Sequence, residues 1–111
     1  IKMDSIILEF TAYQYVRYFS GRDRHWVREA IAKSIGYKGD IGCTTENDTF
    51  LTLGEVKAEQ PISITLEMPE PMMDRLFHHV GQTKMCSLED GVRFAIADRL
   101  LEEEMMDEIA A

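Results

Sequence analysis

The chain has 111 residues, 45% of them hydrophobic and 29% charged, and its 12 bases against 20 acids leave a formal charge of −8. A chain of this length buries about two-thirds of its surface on folding, enough for one modest core, and the composition is that of a folded domain and not of a disordered one. The charge excludes a uniformly basic nucleic-acid coat, and no apolar run approaches the ~18 residues of a membrane span.

The opening Ile1-Lys2-Met3-Asp4 lacks the basic-then-apolar layout of a secretory leader, so none is expected, and Met3 is the expected natural start. In Ser5-Ile6-Ile7-Leu8-Glu9-Phe10, Ile6, Leu8 and Phe10 share one face and Ser5, Ile7 and Glu9 the other. That period of two predicts a half-buried strand. A short helix follows over roughly 11–20, its inward set either Tyr13, Val16 and Phe19 or Tyr15, Tyr18 and Phe19, and Gly21 is expected to break it. A second helix spans 24–35 and stops at Gly36, a good residue to follow a helix end.

Residues 37–61 form a glycine-containing linker or insertion. Within it, Phe50-Leu51-Thr52-Leu53 before Gly54 reads as an extra short strand. Cys43 here and Cys86 later belong to no C-x-x-C pair. Two reduced thiols in a cytoplasmic protein are therefore expected.

The order of elements then repeats. In Ile62-Ser63-Ile64-Thr65-Leu66-Glu67-Met68 the residues Ile62, Ile64, Leu66 and Met68 share a face. Pro69 and Pro71 suit the start of a helix over 70–80, with Met72, Met73, Leu76, Phe77 and Val80 as its apolar positions and Gly81 as its break. Ser87, with Asp90 three residues on, opens a last helix running to about 104. Gly91 costs that helix about 1 kcal/mol against Ala, and a close helix crossing is the expected reason for it.

The wording repeats as well. SIILEF and SITLEM match in type at five of six positions at an offset of 58, and VREAIA at 27–32 matches VRFAIA at 92–97 at five of six positions at an offset of 65. Two copies of one unit, 1–36 and 62–111, are expected. A lone strand would be an unpaired edge, so the two strands should pair antiparallel. The inward residues would be Ile6, Leu8, Phe10, Ile64, Leu66 and Met68, with Val27, Ala30, Ile31, Val92, Ala95, Ile96 and Leu100. Charge divides unevenly: residues 1–39 hold seven bases and four acids, +3, whereas 40–111 hold five bases and 16 acids, −11.

Strand, short helix, turn and longer helix resembles the ribbon-helix-helix family of MetJ- and Arc-type repressors. Residues 62–104 carry the resemblance through the alternating strand, PEPMMDRLFHHV and SLEDGVRFAIADRLLEEE, and residues 5–36 through RDRHWVREAI. The resemblance implies a mainly α fold with a short antiparallel β-ribbon, present as a tandem ribbon-helix-helix in a monomeric pseudo-dimer or a homodimer. It also implies a sequence-specific binder of double-stranded DNA, a repressor-like regulator or an accessory factor of a phage, plasmid or other mobile element. In that family the outer face of the ribbon lies in the major groove. Carried over, the reading residues are Ser5, Ile7, Glu9, Ser63, Thr65 and Glu67. The phosphate anchors are Arg22, Arg24 and His25 in the first copy and Lys84 and Ser87 in the second.

This chain departs from the family pattern on the ribbon, where Arg, Lys, Asn or Gln usually meets the bases. An alternative is therefore an acidic interaction module that docks a basic protein partner or mimics nucleic acid on the same fold. No nucleophile with a neighbouring base, phosphate loop or cofactor motif is present, so neither an enzyme nor a cofactor is expected. His78 and His79 point about 100° apart on a helix and make a poor metal pair. Met72-Met73 is expected in the core, Met105-Met106 as a soft surface, and the acids from Glu102 to Glu108 as a solvated tail.

Overall fold

The computed structural model describes residues 2–19, 21–42 and 61–110, with residues 109 and 110 described by backbone alone. The protein is a small α+β fold, with a two-stranded antiparallel sheet and four helices among the described residues. Its elements are β1 (Met3–Phe10), α1 (Ala12–Phe19), α2 (Arg24–Ile35), β2 (Ile62–Pro69), α3 (Glu70–Gln82) and α4 (Leu88–Ala110). No described helix is long and apolar enough to cross a membrane. The expected strand at Phe50–Leu53, and Cys43, lie outside the described residues; Cys86 is an exposed free thiol.

β1 and β2 pair from Met3 opposite Pro69 to Phe10 opposite Ile62. Both strands are therefore longer than the alternating stretches alone, β1 by two residues at its start. Leu8, Phe10, Ile64, Leu66 and Met68 are buried on the inner face, and Ile6 is half-buried against the same core. A one-residue slip would turn all of these to water, which is why the register is well specified.

Local chemistry sets the helix ends. Thr11 and Gln14 cap α1 reciprocally: the Gln14 N–H donates to Thr11 Oγ1 (3.1 Å) and the Thr11 N–H to Gln14 Oε1 (3.0 Å). Of the two candidate inward sets for α1, the one built on Tyr15 and Phe19 is buried, with Tyr18 packed against the core, whereas Tyr13 is 77% exposed. The rings of Phe10 and Phe19 meet edge-on at 5.0 Å and hold α1 under the end of β1. α2 starts at Asp23, whose carboxylate accepts the Trp26 N–H (2.9 Å), and stops at Gly36 in the left-handed region (φ 72°).

Glycine 81 does not end α3 as expected. The helix passes through it to Gln82, and the turn is made by Lys84 at φ 57°. A helical glycine costs only about 1 kcal/mol, and beyond it the Thr83 N–H and hydroxyl both donate to the His79 carbonyl and close the last turn. Phe77 is likewise not inward but 57% exposed, because the buried stripe of α3 runs through Met72, Met73 and Leu76. Ser87 caps α4, accepting the Asp90 N–H at 3.2 Å. That helix continues to Ala110, six residues past its expected end, and at 23 residues spans about 35 Å. Gly91 sits where α3 and α4 cross: a Cβ there would lie 2.8 Å from Val80 Cγ2.

A single core joins both halves of the chain. Val27, Ile31, Val92 and Ile96, from the repeated helix words, pack with Leu8, Leu66 and Leu76 beneath the ribbon.

Candidate nucleic-acid interface

The exposed part of the ribbon's outer face consists of three rungs, beyond the covered rung of Met3 and Pro69. Ser5 stands opposite Glu67, Ile7 opposite Thr65 and Glu9 opposite Ser63. All six of these sequence-predicted residues are exposed, and Ile7 is a bulky apolar side chain, 69% exposed, at the centre of an otherwise polar face. Period-two alternation over a buried inner face brings them together.

A two-stranded ribbon has no inner strand, so both outer edges carry unpaired backbone groups. Arginines from the helices cover several of them. Arg28, fully buried, donates Nε–H to the Glu67 carbonyl at 2.6 Å. Arg24 donates Nε–H to the Thr65 carbonyl at 2.9 Å. On the other edge Arg93 donates from Nη2 to the Glu9 carbonyl at 2.8 Å, with its guanidinium 5.2 Å over the Phe10 ring. A Glu89 carboxylate oxygen accepts the Glu9 N–H at 3.4 Å. The β2 edge is thus flanked by Arg24 and Arg28, and the β1 edge by Arg93 together with the acids Glu89 and Asp90.

The predicted anchors do not form one group. Arg22 stacks on Trp26, 4.8 Å from the ring centroid, and lies 3.6 Å from a Glu103 oxygen. His25 meets Glu29 at 2.7 Å. Lys84 is exposed in the α3–α4 turn, while Ser87 spends its hydroxyl on the cap of α4. The amides at the start of α2 face the Asp23 carboxylate, so a carboxylate already occupies part of the place where that helix end would hold an anion. Of the predicted anchors, Arg24 reaches the ribbon, at the Thr65 carbonyl.

Arg28, Arg93 and Glu89 were not singled out from sequence as site residues. The signal for the two arginines lay in the repeated Val-Arg of 27–28 and 92–93. Glu89 is the position that an offset of 65 sets against Arg24, which makes the charge reversal legible only once the repeat is aligned.

The acidic end of α4 is not wholly a solvated tail. Glu102 pairs with Lys33 Nζ at 2.6 Å, and Glu103 accepts the Trp26 indole N–H at 2.8 Å. That indole hydrogen bond, aided by Arg22 and Arg99, holds the Glu103 carboxyl below its ordinary pKa. On the side of α4 away from α2, Phe94, Leu101 and Met105 are exposed among Asp98, Glu104 and Glu108.

No family model, curated protein or solved structure matches this chain.

Proposed function

We propose that the protein binds double-stranded DNA by laying the outer face of its ribbon in the major groove, as a regulator of transcription or an accessory factor of a mobile element. The observation that carries this reading is the outward ribbon itself: three exposed rungs, with hydroxyl and carboxylate side chains around a central Ile7, on a strand pair backed by one core. A major groove about 12 Å wide admits such a ribbon.

A tandem duplication folded as a pseudo-dimer underlies the reading, and two features support it. At the strand offset of 58, Ile7 corresponds to Thr65, Ser5 to Ser63 and Glu9 to Glu67, and the register sets Ile7 opposite Thr65, Ser5 opposite Glu67 and Glu9 opposite Ser63. This is the pairing that a two-fold axis through the central rung produces. Arg28 and Arg93, equivalent at an offset of 65, take the carbonyls of Glu67 and Glu9, themselves equivalent.

The pseudo-symmetry stops at charge. Arg24 corresponds to Glu89 and His25 to Asp90. Phosphate neutralisation supplies most sequence-independent affinity, so the half of the site beside Arg24 grips the backbone and the half beside Glu89 does not. Binding is accordingly modest, and its salt dependence is shallow because few phosphates are neutralised.

Titration with a mixed duplex at low and moderate salt, followed at the ribbon amides by NMR, tests this. Shifts at Ser5, Thr65 and Glu67 that weaken with salt are expected. Arg24→Ala should weaken binding to every duplex, whereas Thr65→Ala should alter sequence preference. Absence of any ribbon shift at low salt refutes the reading.

The exposed Phe94, Leu101 and Met105 of α4, set among acids, favour a second reading, an acidic module that docks a basic protein partner. Shifts confined to α4 on adding a basic amphipathic peptide, with a silent ribbon on adding DNA, would decide for it.

A further inference from the structure

The ribbon bears no Arg, Lys, Asn or Gln among its six outward positions, so the bidentate pairings with guanine and adenine are closed to it. What it does bear is chemically narrow. Glu9 and Glu67 offer carboxylate oxygens, which only accept; Ser5 and Ser63 offer hydroxyls; Ile7 and Thr65 offer methyl groups at the central rung. A carboxylate is repelled by guanine O6 and N7 and by thymine O4. It accepts a hydrogen bond from the cytosine N4 amino group, while on adenine the acceptor N7 adjoins the amino donor. Among major-groove edges, the methyl groups of Ile7 and Thr65 match the 5-methyl group of thymine.

Spacing converts this chemistry into a site. Glu67 stands on the rung of Ser5 and Glu9 two rungs further on, four residues along the strand. That is about 13–14 Å at ~3.4 Å per residue, or about four base pairs at the ~3.4 Å rise of a DNA strand. The glutamates lie on opposite strands of the ribbon, either side of the central rung, and so face opposite strands of the duplex.

Resting on the DNA-binding reading above, we infer that the ribbon selects a duplex with two cytosines, one on each strand about four base pairs apart, flanking a thymine-containing centre. Glu9 and Glu67 each accept from one cytosine amino group, and Ile7 with Thr65 contacts the thymine methyl. The exposed Ile7, which costs the free protein apolar surface in water, then has a partner.

The full chain, incubated at low salt with a duplex library of about twelve randomised base pairs and sequenced after selection, should enrich that pattern. In fluorescence anisotropy on a selected duplex, replacing either cytosine pair, or replacing the central thymine by uracil, should weaken binding roughly fivefold or more. Glu67→Gln should move the preference at one position from cytosine to adenine, and Glu9→Gln should do the same at the other. Circular dichroism checks that both variants fold, and the cytosine and uracil replacements on the parent protein stand whatever the variants do. Duplex binding without cytosine enrichment, or with a preference indifferent to both Gln variants and to uracil, overturns the inference while leaving DNA binding in place. No binding to any duplex at low salt overturns the DNA-binding reading and the inference with it.

Discussion

Two glycines ten residues apart should respond to alanine in opposite senses. At Gly81, inside α3, a Cβ would meet nothing within 4 Å, so Gly81→Ala should stabilise the protein by up to about 1 kcal/mol, the helix-propensity gain. At Gly91, inside α4, the same methyl would sit 2.8 Å from Val80 Cγ2 and 3.5 Å from Leu76 Cδ1. Valine on a helix has one strongly preferred rotamer, so Val80 cannot swing aside and α3 must move. Overpacking of this kind costs about 1–3 kcal/mol. Set against the same propensity gain of about 1 kcal/mol, it leaves Gly91→Ala neutral to about 2 kcal/mol less stable than the parent. The two variants should differ by roughly 1–3 kcal/mol, several degrees in thermal midpoint for a domain of this size. Urea unfolding with an unchanged slope measures the difference, and adding Val80→Ala to Gly91→Ala should return part of the loss through coupling of neighbours. Equal stabilisation by both alanines would show that α3 and α4 do not cross at Gly91.

Other outcomes follow from the ribbon and its supports. Arg28→Ala should cost about 2–4 kcal/mol, since it empties a fully buried position and leaves the Glu67 carbonyl without its Nε–H donor. Arg24→Ala, at a half-exposed position, should cost no more than about 1 kcal/mol; urea unfolding of the pair checks the order, and equal costs would mean that Arg28 does not support the ribbon. Glu103, its pKa lowered by the Trp26 indole, contributes stability that is complete above the ordinary carboxylate range and is lost as pH falls through the lowered value. Trp26→Phe keeps a ring and removes the donor. The Glu103 carboxyl, followed by NMR, should then titrate at higher pH than in the parent, and an unchanged titration would reject the indole as the main cause.

Much of the local architecture was legible from residue patterns. The end of α2 followed from Gly36, which acts within a few residues of the helix it closes, whereas its Asp23 cap was seen only in the structure. The inward faces of both strands followed from period two. Patterns faltered where two faces of a helix were nearly equivalent. α1 offered two apolar sets, and only packing against Phe10 chose Tyr15 and Phe19. Phe77 read as core because it is apolar and adjoins Leu76, but α4 covers too narrow a stripe of α3 to bury both. Gly81 read as a breaker because propensity alone says so, but a cost of about 1 kcal/mol is too small to end a helix whose last turn is closed by Thr83 on the His79 carbonyl.

The candidate site divides along the same line. Alternation alone assigned Ser5, Ile7, Glu9, Ser63, Thr65 and Glu67 to exposed faces, because the side chains of a strand alternate whatever it pairs with. Which of them stand opposite one another was not a local property. Setting Ile7 against Thr65 required the two halves to share one core, and only the fold brought Arg28, Arg93 and Glu89 to the ribbon edges from helices 39 to 84 residues away in sequence. Turn chemistry and periodicity are written over a few neighbouring positions and can be read there. Long-range pairing is decided by the sum of many weak contacts that exist only after the chain has closed on itself, so it had to be seen in three dimensions.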